Sequence, residues 1–367
     1  MKKNFKVPFM DLRITDSIER EALINSFGRL MDHGQYIMGK EVDDFEKNIA
    51  KYCNRKYCIG VSSGTDAIYI ALKCLGIGPG DEVVTTSLSW TATANAISMT
   101  GAKPVFCDIG NDLNISVKSI ECMISNKTKA ILPVHYTGRA CNVNSIDKIS
   151  KRHGIPVIYD AAQAFGSTYN SDPIGKFGDA TCFSMNPMKT LAGLGEAGCV
   201  VTDDRSLYES IKILRYNGTI NKEICVVPGL NGRIDSLQAA ILLDRMKNLS
   251  GKIKKIKSIC SHYDKALKDV VKIPKFDTKH NISCYYSYTI QAESREDLSS
   301  YLFDKGIETK VQHPILMPDQ DPYIYNKKDN LVNANRIVNS ILCLPANEKV
   351  NHDVVEYIST VIHEFYK

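Results

Sequence analysis

The sequence predicts an α/β protein of two domains, a large one with a mainly parallel sheet flanked by helices and a smaller α+β domain after it. Its 367 residues are about two domains' worth of chain. From residue 66 to 202, apolar runs alternate with helical patterns of about ten residues, which is typical of βαβ units. The runs are almost continuously apolar, as expected of strands buried on both faces.

The elements of the first domain follow from apolar spacing and from the residues that end each pattern. Apolar residues at helical spacing predict helices over residues 65–75, 91–100, 116–124 and 143–153, and Gly76, Gly101 and Gly154 stand at or beyond three of their ends. Short apolar runs predict strands over residues 82–86, 104–108, 130–134, 156–159, 180–184 and 198–202.

The pattern changes from Ile234 onward. A long helical pattern extends to about residue 269, with a predicted break at Ser250 and Gly251. A strand over residues 284–291 follows, and then helices near residues 295–305, 334–341 and 353–365. We therefore place the domain boundary near residue 250, with the larger domain and its N-terminal arm over 1–250 and the smaller domain over 251–367.

Composition narrows the class of protein. The net charge is +5 and the basic residues are dispersed, which argues against a nucleic-acid partner. No apolar run approaches the roughly 18 residues of a membrane span, and the N-terminal segment lacks the apolar core of a secretory signal. The twelve cysteines show no C-x-x-C pair and no zinc spacing, so we expect free thiols, no metal site and a cytoplasmic location.

A first candidate site lies where residues 62–65 read Ser-Ser-Gly-Thr at the start of a predicted helix. Unpaired N–H groups and the helix dipole make such a start suitable for an anion, and Gly64 would let that anion approach the backbone. An ordinary Ser or Thr cap would give the same pattern.

Two charged residues follow predicted strands. Asp160 comes after an apolar strand, at the sheet edge where ligands bind in open α/β folds, although a turn aspartate is equally consistent. Lys189 lies in a turn after another strand, followed by Gly193, Gly195 and Gly198, and it could be a nucleophile or a surface lysine. The glycines spell G-x-G-x-x-G but precede a strand, which argues against a dinucleotide site.

Trp90 and Arg233 complete the candidates. Trp90 follows the 82–86 strand, where it could stack on a flat ring or serve as a half-buried packing residue. Arg233 precedes the long helical pattern, where it could clamp a phosphate or lie solvated in a turn.

In combination these features suit pyridoxal phosphate, which needs an anion site, a stacking partner, a carboxylate for its ring nitrogen and a lysine for its aldehyde. The chain resembles the DegT/DnrJ/EryC1/StrS sugar aminotransferases, which are pyridoxal-phosphate-dependent transferases of fold type I. The resemblance rests on residues 34–39 (GQYIMG), 63–67 (SGTDA), 160–163 (DAAQ), 184–189 (SMNPMK) and 231–240 (NGRIDSLQAA).

The resemblance implies a role for each matching position. Lys189 is similar to the lysine that binds the cofactor's aldehyde carbon, and Asp160 to the partner of its ring nitrogen. The other implied cofactor contacts are Gly64, Thr65 and Ser184 at the phosphate, Trp90 and Gln163 at the ring, and Asn231 from the neighbouring subunit of a homodimer with shared sites. The implied substrate contacts are Gly34, Tyr36, Arg233, Gln312 and His313.

The implied reaction moves an amino group from an amino acid, most often glutamate, to a keto group of a nucleotide-linked hexose for surface polysaccharide or glycoconjugate synthesis. The 32–39 run is most similar to the branch that aminates C3, with C4 amination as the alternative. A pyridoxal-fold regulator without catalysis is a third reading. Lys189 argues against the branch that carries His there and removes a hydroxyl. The chain departs from the family pattern at Glu196–Gly198 and Gln312–Pro314.

Overall fold

The computed structural model describes residues 5–274, 281–326 and 330–367. The α-helices are α1 Ser17–His33, α2 Lys40–Tyr52, α3 Gly64–Cys74, α4 Ala92–Met99, α5 Val117–Met123, α6 Val143–His153, α7 Arg205–Leu214, α8 Ser236–Met246, α9 Leu249–Leu267, α10 Arg295–Asp304, α11 Val332–Val338 and α12 His352–Phe365. The strands are β1 Tyr57–Val61, β2 Glu82–Thr86, β3 Lys103–Cys107, β4 Thr128–Leu132, β5 Ile158–Asp160, β6 Thr168–Tyr169, β7 Asp172–Pro173, β8 Ala180–Ser184, β9 Gly198–Thr202, β10 Thr219–Ile220, β11 Ile224–Cys225, β12 Tyr288–Gln291 and β13 Ile341–Leu344.

The main sheet has the strand order β3-β2-β4-β5-β8-β9-β1. Two parallel bridges, Ile131 with Val157 and Val134 with Asp160, join its two halves at β4 and β5. Strand β9 is antiparallel to both β8 and β1, and the other pairings are parallel. The chain between β8 and β9 forms turns instead of a crossover helix, so β9 runs back beside β8. The predicted α/β fold with a mainly parallel sheet is confirmed.

Helices cover both faces of this sheet. Side chains of α3, α4 and α7 form one core with alternate strand residues, and those of α2, α5, α6 and α8 form the other. In β5, Ile158 belongs to the first core and Tyr159 to the second, as the two-residue period of a strand requires. Because both faces are buried, the strands need apolar residues at nearly every position.

A further core lies in the C-terminal part of the chain. The antiparallel pair β12–β13 packs with α10, α12 and most of α9, and Val7 from the N-terminal arm joins them. The start of α9, at Leu249 and Ile253, packs in the large core, whereas Ile256 packs in this one. The boundary near residue 250 stays a prediction.

Several predicted bounds agree with the structure, and others are wrong. The segments 82–86, 143–153, 180–184 and 198–202 form elements with the predicted bounds. The long helical pattern breaks at residues 247–248 and not at Gly251, which lies inside α9 with open space beside it. The strand predicted from residue 284 begins at Tyr288, because the left-handed backbone of Tyr285 (φ 51°) excludes extended structure there. The predicted 334–341 helix ends at Val338, and Ile341 begins β13.

Within the ranges that the structure describes, no helix is both long and apolar enough to cross a membrane.

Candidate functional site

The carboxyl ends of the parallel strands bring the candidate residues to one edge of the sheet. Strand β1 leads into the 62–65 segment, β2 leads to Trp90, β5 ends at Asp160 and β8 ends at Ser184 shortly before Lys189. Open parallel sheets bind ligands at this edge, because helix starts and polar loops meet there. Residues separated by more than a hundred positions in the sequence thus face one site.

Asp160 is buried, with 4% of its surface exposed. The Thr93 hydroxyl donates to its Oδ2 at 2.8 Å, and the Ala162 N–H donates to its Oδ1 at 3.0 Å. Burial raises the pKa of this carboxyl, and the two donors and the charge of Lys189 oppose that rise. Both donors are neutral, so they leave the negative charge of the ionised carboxylate in place. A cationic N–H beside it would therefore form a strong charge-assisted hydrogen bond.

Lys189 lies close enough to Asp160 for their charges to affect each other's pKa. Burial lowers the pKa of the Lys189 amine, while the negative charges of Asp160 and Glu196 raise it. The Nζ atom lies over the ring of Tyr286, 4.6 Å from its centroid. Desolvation therefore favours the neutral amine, which is the nucleophilic form.

The start of α3 and the end of β8 form a close-packed cradle. Ser63 caps the helix by accepting the Asp66 N–H, and the N–H groups of the first turn have no acceptor within a helix. A Cβ on Gly64 would lie 2.5 Å from the Cβ of Ser184, so glycine is required for this approach. Thr65 follows in the same turn. The cradle thus joins helix N–H groups to a serine hydroxyl.

Trp90 extends into the site with 62% of its surface exposed. Its ring lies 5.8 Å from that of His313, which in turn lies 5.7 Å from Tyr136. The Nε2 of His313 is buried and has no hydrogen-bond partner among the described residues, and burial lowers the pKa of this imidazole to about 3. His313 has a left-handed backbone (φ 59°), and the Gln312 carbonyl beside it accepts the Tyr136 hydroxyl at 3.1 Å.

Gln163 and His135 line the same edge. The Gln163 Oε1 accepts the N–H of Thr137 at 2.8 Å, which leaves the two amide N–H groups as its donors. His135 stacks on Tyr159 at 4.6 Å, and its Nδ1 accepts the Cys141 N–H, so Nε2 carries the proton. Burial lowers the pKa of His135 to about 3, so the ring is neutral.

The remaining predicted residues form a second group. Asn231 and Arg233 lie beside the end of β1, where the Ser62 N–H donates to the Gly232 carbonyl of the same chain. The Arg233 Nε donates to Asn231 Oδ1 at 2.9 Å, and its guanidinium lies 4.4 Å from the centroid of Tyr216.

Gly34 ends α1 in the left-handed conformation, and the carbonyl of half-exposed Tyr36 accepts the Ser236 N–H. Residues 34–39 and 231–236 are therefore neighbours.

Sequence reasoning missed Thr93, which contacts Asp160, and Tyr286, which contacts Lys189. The run from Ser87 to Thr93 is rich in hydroxyl residues just after a strand, and that signal could have indicated Thr93. Tyr286 comes from a distant part of the chain, and only the fold brings it to Lys189.

These residues fit pyridoxal phosphate. The cradle that a Cβ on Gly64 would fill suits a phosphate, the exposed ring of Trp90 suits a flat heterocycle, and buried Asp160 suits a protonated ring nitrogen. Lys189 supplies an amine whose charge burial disfavours. The fold and this donor set define an α/β enzyme that uses pyridoxal phosphate.

The chain belongs to the DegT/DnrJ/EryC1/StrS aminotransferase family, whose family model matches residues 17–363. It is therefore a pyridoxal-phosphate-dependent aminotransferase of fold type I. The chain is similar to the solved structure of NtdA from Bacillus subtilis with bound cofactor PMP, at a TM-score of 0.90 and 31% identity. That likeness covers 99% of this chain and 86% of NtdA.

Two curated relatives match along nearly their whole lengths. A UDP-2-acetamido-2-deoxy-3-oxo-D-glucuronate aminotransferase of Pseudomonas aeruginosa is 33% identical over 97% of this chain and 99% of its own. A protein of Geobacillus stearothermophilus named "Pleiotropic regulatory protein" is 35% identical over 98% of this chain and 99% of its own.

Proposed function

We propose that this aminotransferase moves an amino group from L-glutamate to the C3 keto group of a nucleotide-linked hexose. The observation that carries the proposal is the convergence of Lys189 and Asp160 on the sheet edge beside an anion cradle. The 3-oxo sugar nucleotide named for the Pseudomonas relative supports the substrate and the carbon. Such a product would serve surface polysaccharide or glycoconjugate synthesis, and we expect the enzyme in the cytoplasm.

Lys189 is the proposed catalytic base. When bound, pyridoxal phosphate supplies an aldehyde that accepts the donor's nitrogen and a ring that withdraws electrons. The Lys189 Nζ would hold the cofactor's aldehyde carbon. Once the donor amine displaced it, Nζ would accept the proton of the donor's α-carbon and deliver it to the cofactor. Its lowered pKa keeps part of the amine neutral for that step. When the keto group is aminated, the same atom would take a proton back from the cofactor and deliver it to the sugar carbon.

Asp160 is the proposed partner of the ring nitrogen. Its carboxylate would accept the N–H of the ring and hold a proton there, which strengthens the ring's ability to withdraw electrons. Burial makes this carboxylate costly to ionise, and the hydrogen bonds from Thr93 and Ala162 offset part of that cost. A cationic N–H beside it would stabilise the anion further.

The proposed cofactor contacts divide by chemistry. Gly64, Thr65 and Ser184 would bind the phosphate through N–H groups and hydroxyls. Trp90 would stack on the ring, and the amide N–H groups of Gln163 would donate to the ring's hydroxyl oxygen.

The proposed sugar contacts lie around this site. Arg233 has one donor engaged with Asn231, which leaves guanidinium donors for a diphosphate. Tyr36 and Gly34 lie on the neighbouring segment, and Tyr36 exposes 53% of its surface. His313 approaches Trp90 from the C-terminal part of the chain, with Gln312 next to it in sequence. The His313 Nε2, which has no partner among the described residues, is the proposed contact for a sugar hydroxyl.

We also propose a homodimer in which Asn231 completes the site of the neighbouring subunit. Helix α1 exposes Ile24, Phe27 and Met31 at helical spacing, which forms an apolar stripe. Exposed apolar residues in such a stripe typically mark an interface. A second copy of this chain would bury that stripe and bring the 231–233 segment to a subunit boundary.

The test is a panel of UDP-, dTDP- and GDP-linked 3-keto and 4-keto hexoses with glutamate, aspartate and alanine as donors. We expect turnover with glutamate and a 3-keto sugar nucleotide, measured as 2-oxoglutarate formed and aminated sugar by mass spectrometry. Amination of the 4-keto sugars alone would reject C3 and favour the alternative carbon.

A regulatory role without catalysis is the second candidate, because one relative carries a regulator's name. A visible cofactor band at about 410–430 nm, bleached by the amino donor alone, would argue against it. A cofactor band that is present but does not change with any amino donor would favour the regulatory role.

A further inference from the structure

We propose that Thr93 is a positioning residue, which acts on the cofactor by fixing the Asp160 carboxylate through a buried chain of hydroxyls that begins at Ser89. The inference rests on the proposed function of Asp160. It concerns two residues outside the set that the sequence indicated, and both lie on the segment that also carries Trp90.

The direction of the hydroxyl chain follows from hydrogen counting. Thr93 Oγ1 donates its single hydrogen to Asp160 Oδ2 at 2.8 Å. The Oγ atoms of Ser89 and Thr93 lie 3.1 Å apart, and Thr93 has no second hydrogen to give. Ser89 therefore donates to Thr93, and Thr93 donates to Asp160. Hydrogen bonds in such a chain strengthen one another in a buried environment.

Burial makes this chain important for the carboxylate. Ser89, Thr93 and Asp160 expose 3%, 1% and 4% of their surfaces, so water contributes little to holding the anion. The Ala162 N–H holds Oδ1, while the orientation of Oδ2 depends on Thr93. Loss of the Thr93 hydroxyl would leave one carboxylate oxygen without that donor, and the anion would become more costly.

The titratable groups that face Asp160 do not replace the hydrogen bond that Thr93 donates to it. Lys189 is the cation among them, and the thiols of Cys141 and Cys182 face the carboxylate from the adjoining strands and loop. Burial raises the pKa of both thiols well above their usual range, so they stay neutral.

The same short segment also controls the ring face. Trp90 lies between Ser89 and Thr93, and its carbonyl accepts the Thr93 N–H at 3.1 Å. The segment thus contacts the carboxylate with one side chain and presents the indole with another. A single loop would set both the ring nitrogen's partner and the ring's stacking surface.

The experiment compares Thr93→Val, Thr93→Ser and the control Thr85→Val in the holoenzyme. Thr85 is equally buried, but its hydroxyl donates to the Leu132 carbonyl at 2.7 Å. We expect Thr93→Val to lower kcat roughly ten- to a hundredfold, since hydrogen bonds to charged groups are the strong ones. Thr93→Ser should recover most of the activity, and Thr85→Val should change kcat less than about threefold.

A spectroscopic readout separates positioning from simple destabilisation. Without the Thr93 donor the Asp160 carboxylate becomes more basic, so the proton that it shares with the ring nitrogen would shift towards the carboxylate and the ring would lose positive charge. The pH midpoint of the cofactor's visible band should therefore rise by roughly 0.5–1 unit in Thr93→Val. The Thr85→Val midpoint should stay at the wild-type value. An unchanged midpoint in a folded Thr93→Val enzyme would overturn the proposal.

A double-mutant cycle with Asp160→Asn separates this inference from the proposed function. If Thr93 acts through the carboxylate, Thr93→Val should lower kcat by less than about twofold in the Asp160→Asn background. An equal loss of kcat on Thr93→Val in the wild-type and Asp160→Asn backgrounds would refute the proposal that Thr93 acts through the carboxylate. A wild-type rate in Asp160→Asn itself would instead refute the proposed role of Asp160.

Discussion

Replacing Gly64 by alanine tests the phosphate cradle with the smallest change available. The new Cβ would lie 2.5 Å from the Cβ of Ser184 and 3.1 Å from its Cα. Carbon atoms prefer about 3.5–4.0 Å, so helix α3 and strand β8 must separate by roughly 1 Å. Neither side can yield by a rotamer change, because the Ser184 Cβ and Cα are fixed by the strand backbone.

The magnitude follows from two opposing effects. Overpacking a buried contact costs about 1–3 kcal/mol, and alanine in place of glycine in a helix returns about 0.5–1 kcal/mol. The apoprotein should therefore lose on the order of 1 kcal/mol of stability. Cofactor affinity should fall more, roughly ten- to a hundredfold, because hydrogen bonds to a charged phosphate depend strongly on the distance between helix start and Ser184.

The assay is a titration of apoprotein with pyridoxal phosphate, followed by quenching of Trp90 fluorescence, since Trp90 is the single tryptophan. The matched control is Gly251→Ala, at an exposed glycine inside α9 with nothing within 4 Å of its added Cβ. The control should bind normally and melt at the wild-type temperature or slightly higher. Wild-type affinity in Gly64→Ala would show that α3 and β8 do not form the phosphate site.

Three further predictions concern the charged residues. Lys189→Ala should abolish transamination in a folded protein; turnover in the absence of added amines would contradict the assignment. Asp160→Asn should slow turnover on the order of 10³-fold. Burial raises the folded-state pKa of Asp160, so its ionisation lowers stability as the pH rises from the unfolded pKa to the folded pKa, and by a constant amount above that; near pH 7 the Asn apoprotein should melt no lower than wild type. A loss of turnover rate below about tenfold in Asp160→Asn would mean that Asp160 is only a turn residue. Co-expression of Lys189→Ala with an Asn231→Ala, Arg233→Ala variant should restore about a quarter of wild-type activity, because half of randomly mixed dimers carry one intact site. Confirmed mixed dimers without activity would mean that each site is built within one chain.

The sequence by itself determined the strands of the main sheet that are buried on both faces. The strands at 180–184 and 198–202 are apolar runs between turn residues, and their bounds follow from local chemistry. The order of a Ser-Gly-Thr helix start, an aromatic residue, a strand-end aspartate and a lysine in a glycine-rich turn was enough to indicate the cofactor. These signals are local, because each depends on a few adjacent residues.

Local signals failed where the backbone departs from the side-chain pattern. Residues 284–287 look like a strand, yet Tyr285 has a positive φ and the strand starts at Tyr288. Ser250 and Gly251 look like a helix end, yet both lie inside α9. Leu249 pairs with the large core and Ile256 with the C-terminal one, and those contacts hold the helix continuous through its glycine.

Only the tertiary structure decided which residues meet at the site. The hydroxyl of Thr93 reaches Asp160 across 67 positions, and the ring of Tyr286 reaches Lys189 from another part of the chain. The steric need for glycine at position 64 is equally invisible in the sequence, because it arises from the close contact with the Cβ and Cα of Ser184. Side-chain periodicity sets which face of an element is buried, whereas contacts between elements depend on the packing of the whole sheet, and the chemistry of this site lies in those contacts.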